Sequence, residues 1–132
     1  MSRENRQWGY FEVLDVSADG HVKTKKLVVY PHKSLSLQKH KKRNELWFVA
    51  EGYPEVYTIR QDYLTDDANY EEGKRCFRGK FCPNERLVIV TEEWHQLVNP
   101  TDENIVIIEI QYGEACEEDD ILRATPLVSN ES

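Results

Sequence analysis

The stretch Ser34–Gly52, SLSLQKHKKRNELWFVAEG, decides how the rest of the chain is read. Side chains alternate along a strand, so Ser34, Ser36, Gln38 and His40 share one face while Leu35, Leu37 and Lys39 take the other. A face of Ser, Ser, Gln and His is too polar for a core and too regular to be accidental. It suits the lining of a barrel cavity. Beyond the basic run KHKKRN, Glu45 opens a second strand, with Trp47 and Val49 on its side of the pleat. An antiparallel hairpin through KKRN would return Glu45 to the neighbourhood of His40.

The same periodicity extends in both directions. YFEVLDV, KTKKLVVY and KSLSLQKH alternate, while ELWFVA, PEVYTI, RLVIV and NIVIIEIQYG are short branched or aromatic runs between turn residues. Many short strands without a long amphipathic helix imply a sandwich or barrel closed on itself. With 132 residues, no internal repeat and no Pro- or Gly-rich linker, the chain reads as one all-β domain over 1–126 with a disordered tail at 127–132. Arg60–Glu85 breaks the rhythm. It is polar, contains Gly73, Gly79 and Pro83, and is long for a hairpin connection, as functional or mobile loops often are. A short extra strand is expected near CFRGKF, and at most a turn of helix in EACEEDDILR. Val29, Leu35 and Leu37 are expected on an apolar outer strand face, which predicts a two-fold homodimer.

Charge narrows the partners. The net charge of −7 argues against general nucleic-acid binding, which needs a cationic face. Residues 1–45 nevertheless carry ten Lys/Arg against five Asp/Glu, and the remainder seven against nineteen. A small anion therefore remains a candidate partner. No run of eighteen apolar residues could span a membrane. The opening MSRENRQWGYFEV has no apolar leader segment, so a cytoplasmic location is expected. Cys76, Cys82 and Cys116 read as free thiols rather than a zinc ribbon.

The chemistry concentrates in four residues. Gln38, His40 and Glu45 are joined by His95, from EEWHQLVNP. One amide oxygen, two imidazoles and one carboxylate form a mixed N/O set. It suits Zn²⁺, Fe²⁺, Mn²⁺, Co²⁺ or Ni²⁺ and leaves positions open for water or substrate. A single histidine is more often structural than ligating. Trp8, Trp47 and Trp94 read as packing residues, and the EEDD run as a solvent or helix-end feature.

Gln38-x-His40-x4-Glu45-x6-Gly52, followed by His95-x3-Asn99, resembles the paired motifs of the cupin superfamily. The flanks RQWGYFEVLD, EEWHQLVNP, IEIQYG and EEDDILR resemble, in order, type II mannose-6-phosphate isomerase domains. The resemblance covers roughly residues 6–59 and 86–123. It implies a single cupin barrel (a double-stranded β-helix or jelly roll) and a divalent transition metal, zinc first, on Gln38, His40, Glu45 and His95. The implied activity is isomerisation of mannose 6-phosphate to fructose 6-phosphate or of a related sugar. Arg6, Lys42, Arg43 and Arg123 are the candidate phosphate-attracting groups. Glu109 is a candidate base, and so is Lys42 if the barrel interior strips it of its charge. The chain departs from the family at several positions. His32 and Lys33 replace a glycine-rich stretch, Lys42 and Leu46 stand where histidines are usual, and Val90 and Glu92 replace Pro and Gly. After Arg123 the chain reads ATPLVSNES in place of the family's Tyr-Gly-Arg ending. Two other readings remain open: a non-catalytic cupin that binds a sugar phosphate, and a nucleotide-sugar epimerase or isomerase.

Overall fold

The alternating runs form twelve strands in a computed structural model that describes residues 2–127. These are β1 (Arg3–Arg6), β2 (Gly9–Val16), β3 (Val22–Val29), β4 (Leu37–Lys39), β5 (Arg43–Glu51) and β6 (Glu55–Thr58), followed by β7 (Asn69–Tyr70), β8 (Cys76–Lys80), β9 (Arg86–Ile89), β10 (Gln96–Val98), β11 (Ile105–Gly113) and β12 (Leu122–Pro126). Six of them form one sheet in the order β1-β2-β3-β11-β5-β9. Opposite lie two three-stranded sheets, β10-β6-β8 and β4-β12-β7. Isolated bridges Ser34–Val98 and Gln38–His95 join these two across β4 and β10. The result is a two-layered barrel.

Period-2 patterning explains which side chains fill it. On β5, Arg43, Glu45, Trp47 and Val49 are buried and their neighbours less so. On β11, Ile105, Ile107, Glu109 and Gln111 point the same way. The apolar halves of these rows pack with Phe11, Leu27, Val29, Leu35, Val56 and Leu97 into the main core. The polar halves lie toward one end of the barrel and become the site. Gly52, between β5 and β6, has φ +87°, and a Cβ there would lie 2.8 Å from Ile105 Cγ1 and 2.9 Å from the Asn104 carbonyl. Only glycine accepts both the left-handed backbone and that approach.

Several expectations are corrected. β4 and β5 do not form a hairpin; β4 pairs with β12 and β5 with β11 and β9. The KKRN turn instead crosses from one layer to the other, and that crossing brings Glu45 to His40. Val29, Leu35 and Leu37 form no outer patch, being 0%, 8% and 0% exposed. Leu37 packs with Ile59, Tyr70, Trp94 and Ala124 in a second cluster, to which Leu64 adds. The segment after Arg60 thus covers part of the molecule. It holds two single 3₁₀ turns, β7 and the expected strand near CFRGKF, which is β8. EACEEDDILR contains no helix; a turn at Glu118–Asp119 leads into β12. The tail predicted at 127–132 falls outside the described residues except for Leu127, whose amide donates to the Tyr70 carbonyl at 2.7 Å. No helix among the described residues is long and apolar enough to cross a membrane.

Candidate metal centre and adjoining cavity

His40, at the end of β4, and Glu45, on β5, meet because the turn between them changes layers. His95 joins them because its backbone bridges that of Gln38, with N–H to O distances of 2.9 Å in both directions. His40 Nε2 lies 3.2 Å from Glu45 Oε2, and His95 Nε2 lies 3.5 Å from Glu45 Oε1. All three residues are buried. Each imidazole donates its Nδ1 proton to a backbone carbonyl: His40 to Asp120 at 2.6 Å, and His95 to Glu93 at 2.9 Å. Those bonds select the tautomer and turn both Nε2 lone pairs inward, the arrangement that outer partners impose on metal-ligating histidines.

The electrostatics agree. Burial drives His40 down to about 4, helped by the Arg43 charge and by His95. Burial likewise drives His95 down to about 4. Both rings are therefore neutral at pH 7. Burial pushes Glu45 above the ordinary carboxylate range, against the pull of Arg43. Two imidazole lone pairs converging on one carboxyl group make a donor set that a cation can occupy. His95 Nε2 is a buried atom with no hydrogen-bond partner. Ligand atoms about 2.0–2.2 Å from a tetrahedral zinc stand roughly 3.3–3.6 Å apart, close to the spacings found here. The donor set fits a divalent transition metal.

Arg43 complicates this picture. It was expected on a cationic rim, yet it is buried. Its Nε donates to Glu45 Oε2 at 3.1 Å, its Nη1 to the Glu117 carbonyl at 2.9 Å, and its Nη2 lies 3.3 Å from His40 Nε2. The guanidinium thus contacts two of the three atoms that a metal would use.

A cavity of about 410 Å³ adjoins the centre, and Gln38, Arg43 and Glu45 reach its wall. Gln38 Oε1 accepts a bond from the Ser36 hydroxyl at 3.0 Å. Glu109 lines the same cavity; burial raises its pKa, and the neighbouring Glu45 raises it further. Trp47 Nε1 donates to both carboxylates, to Glu45 Oε1 at 3.2 Å and to Glu109 Oε2 at 3.0 Å. Arg6 and Arg123 also line the cavity and are exposed, as a mouth requires. Lys42 is exposed and absent from the wall, so the burial on which its candidacy as a base rested is missing.

Three contributors were missed in the sequence. Lys25 is buried on β3, opposite Glu109 in register, and pairs with Glu118. Gln111 lies two residues beyond Glu109 on the same face. Alternation along KTKKLVVY and IEIQYG carried the signal for both. Asp120 left no local trace. Its carboxylate accepts the Lys41 and Lys42 amides at 3.0 and 2.9 Å, while its carbonyl holds His40. Burial would raise its pKa, but those two amides bring it below the usual range. Asn99 proves to be a lock: its Nδ2 donates to the carbonyls of Val29, Tyr30 and Glu103.

Residues 2–125 match the family described as mannose-6-phosphate isomerase C-terminal. The chain belongs to that family. It is 32% identical over 118 residues to the alginate biosynthesis protein AlgA of Pseudomonas putida, covering 89% of this chain and 21% of the relative. Its identity to the mannose-1-phosphate guanylyltransferase of Escherichia coli is 31% over 118 residues, with the same coverage. The chain therefore spans about a fifth of the length of these curated relatives. Among solved structures, the capsular polysaccharide assembling protein CapF of Staphylococcus aureus superimposes with a TM-score of 0.73 at 15% identity, over 94% of this chain and 32% of its own. Oxalate decarboxylase of Lactobacillus farciminis gives 0.69 at 12%, over 92% and 33%. A conserved Klebsiella pneumoniae protein with a double-stranded β-helix domain gives 0.63 at 10%, over 85% and 80%. At these identities the likeness concerns fold alone, and it is the single cupin barrel expected from the motifs.

Proposed function

We propose that the domain is a metal-dependent sugar-phosphate isomerase of the mannose-6-phosphate type. The observation that carries the reading is one cavity wall that joins Gln38 and Glu45, the latter a member of the buried His40–Glu45–His95 cluster, to the buried carboxyl of Glu109 and the guanidinium groups of Arg6 and Arg123. At about 410 Å³ the cavity lies toward the lower end of the range for small-ligand sites, a size suited to a monosaccharide phosphate.

In this reading Gln38, His40, Glu45 and His95 hold a divalent transition metal, zinc foremost. When bound, the metal supplies a Lewis acid that stabilises negative charge on a substrate oxygen. Arg6 and Arg123 pair with the phosphate at the mouth and set the position of the sugar. Aldose–ketose isomerisation moves a proton between adjacent carbons through an enediol. Glu109 takes that proton and returns it to the neighbouring carbon; its raised pKa brings it nearer the working pH and strengthens it as a base. Trp47 Nε1 donates to both Glu45 and Glu109 and so holds the two carboxyl groups beside one another.

A coupled assay of mannose 6-phosphate to fructose 6-phosphate conversion, with Zn²⁺, Mn²⁺, Co²⁺ or Ni²⁺, tests this. Turnover should require metal and disappear in Glu109→Gln while ligand binding persists. A second reading, a sugar-phosphate-binding cupin without turnover, gains support from Arg43, which already supplies a cation to His40 and Glu45. Ligand-induced stabilisation without turnover on any metal would establish that reading instead. A nucleotide sugar is the third ligand class to include in the same thermal-shift series. The homodimer is also part of the proposal, although Val29, Leu35 and Leu37 cannot form its interface; light scattering tests it.

A further inference from the structure

Lys25 brings an ammonium group to the cavity wall, yet its side chain is only 5% exposed. A charged group so buried needs a partner. Among the described residues one carboxylate lies within ion-pair distance: Glu118, whose Oε1 is 2.5 Å from Lys25 Nζ. Lys23, two residues earlier on the same face of β3, reaches the same oxygen at 3.2 Å. Burial would raise the Glu118 carboxyl, but the bonds and charges of Lys25 and Lys23 bring it below the usual range. Two ammonium groups thus converge on one point at the cavity, and an anion of the protein's own chain sits there.

That anion is held less firmly than the cation it covers. The Glu118 side chain is 53% exposed and also lines the cavity. Its backbone is tied down on both sides: the Glu117 carbonyl accepts from Arg43 Nη1 at 2.9 Å, and the Asp120 carbonyl from His40 Nδ1 at 2.6 Å. Turning the carboxylate out into solvent therefore needs a change of side-chain rotamer alone. Phe11, on the same wall, links this point to the mouth. Lys25 Nζ lies 4.2 Å from the centre of its ring, and the Arg6 guanidinium 5.1 Å. An anion that arrives on Arg6 is thereby brought towards Lys25.

We infer that Lys25 is the inner anchor of an anion seat, and that Glu118 occupies this seat until the phosphate of a ligand displaces it. The inference rests on the sugar-phosphate reading and deepens it: Arg6 receives the phosphate at the mouth, and Lys25 fixes it in the wall. One anion replaces another, so the buried ammonium is never left unpaired. A neutral sugar brings no group that can compete with a carboxylate for an ammonium, whereas a phosphate does. Displacing Glu118 costs part of the binding energy, so the intact protein binds its anion more weakly than the cations alone would allow.

Calorimetric titration of the whole chain, with one equivalent of Zn²⁺, tests the exchange with mannose 6-phosphate and inorganic phosphate as probes. Glu118→Gln removes the competing charge, and Glu118→Asp keeps the charge but draws it back from Lys25 by one methylene. Both variants should bind both anions about threefold to tenfold more tightly than the unaltered protein. Asp119→Asn makes the same change of charge at the next, exposed residue and should leave both affinities as they were. Lys25→Met should weaken both by about tenfold to a hundredfold, and adding Glu118→Gln to it should restore nothing. If Lys25→Met folds poorly, the two Glu118 variants and Asp119→Asn decide. Unchanged or weaker binding in Glu118→Gln, with the sugar phosphate still bound, overturns this inference alone. So does an equal gain in Asp119→Asn, which would reduce the effect to net charge. Binding of inorganic phosphate with the Glu118 gain, but none of mannose 6-phosphate, keeps the seat and overturns the sugar-phosphate reading. Binding of neither anion by any variant overturns both.

Discussion

Arg43→Met removes the cation that contacts the metal ligands and leaves a side chain of comparable length. Glu45 and Arg43 are 1% and 5% exposed, and their closest atoms are 3.1 Å apart. At an effective dielectric constant of about 20, a charge pair at that distance is worth about 5 kcal/mol. Glu45 can take up a proton when the guanidinium is gone, since burial already raises its pKa. The expected loss is therefore the roughly 3–5 kcal/mol typical of breaking a buried pair from one side. For a domain of this length, that lowers Tm by roughly 10–20 °C. Zinc should offset part of the effect. With Arg43 absent, His40 Nε2 and Glu45 Oε2 have no competing cation, and a tenfold gain in metal affinity returns about 1.4 kcal/mol. The assay is thermal and urea unfolding of both proteins, in chelator and in saturating Zn²⁺. The variant should be less stable in chelator and gain more from zinc than the unaltered protein. Equal stabilisation of the two by zinc would show that guanidinium and metal do not share ligand atoms, and would refute the reasoning.

His95→Ala should abolish high-affinity metal binding, seen as loss of zinc-induced stabilisation, while the two-layered fold persists by circular dichroism. Stability should fall as pH drops below about 6.5 toward 4, because the unfolded chain then protonates histidines that the folded state keeps neutral at His40 and His95. Each contributes on the order of 3 kcal/mol across that window; the raised carboxyls of Glu45 and Glu109 oppose it, since they stabilise the fold as pH falls. Urea unfolding at pH 7, 5.5 and 4.5 reads the balance, and His95→Gln should flatten the slope; an unchanged slope would exclude His95 as a source. Gly52→Ala should cost about 2 kcal/mol or more in urea unfolding, from the left-handed backbone and the contact with Ile105. Asp120→Ala should loosen the turn that carries His40 and weaken zinc binding by about tenfold, measured by competition with a chromophoric chelator.

Much of this protein was present in the order of its residues. Alternation alone places Arg43, Glu45, Trp47 and Val49 on one side of β5, because a strand turns every second side chain the same way. The motifs around Gln38, His40, Glu45, His95 and Asn99 resemble those of the cupin superfamily, and that resemblance implied the barrel. What local pattern could not supply was the partner of each strand. β4 and β5 are joined by a short turn and yet belong to opposite layers, so proximity in sequence suggested a hairpin that does not exist. The same uncertainty placed Leu37 outside, when Tyr70 and Trp94 cover it. Arg43 looked like a rim charge among its basic neighbours; only the arrival of the Glu117 carbonyl, seventy-four residues later in the chain, gives its guanidinium a buried seat. Asp120 reaches the Lys41 and Lys42 amides from a similar distance in sequence. Periodicity reports the face a side chain takes, because that is a property of the local backbone. Which charges meet across the barrel, and therefore which pKa values shift and which ligand atoms stay free, depends on contacts between strands far apart in the chain, and these exist only once it is folded.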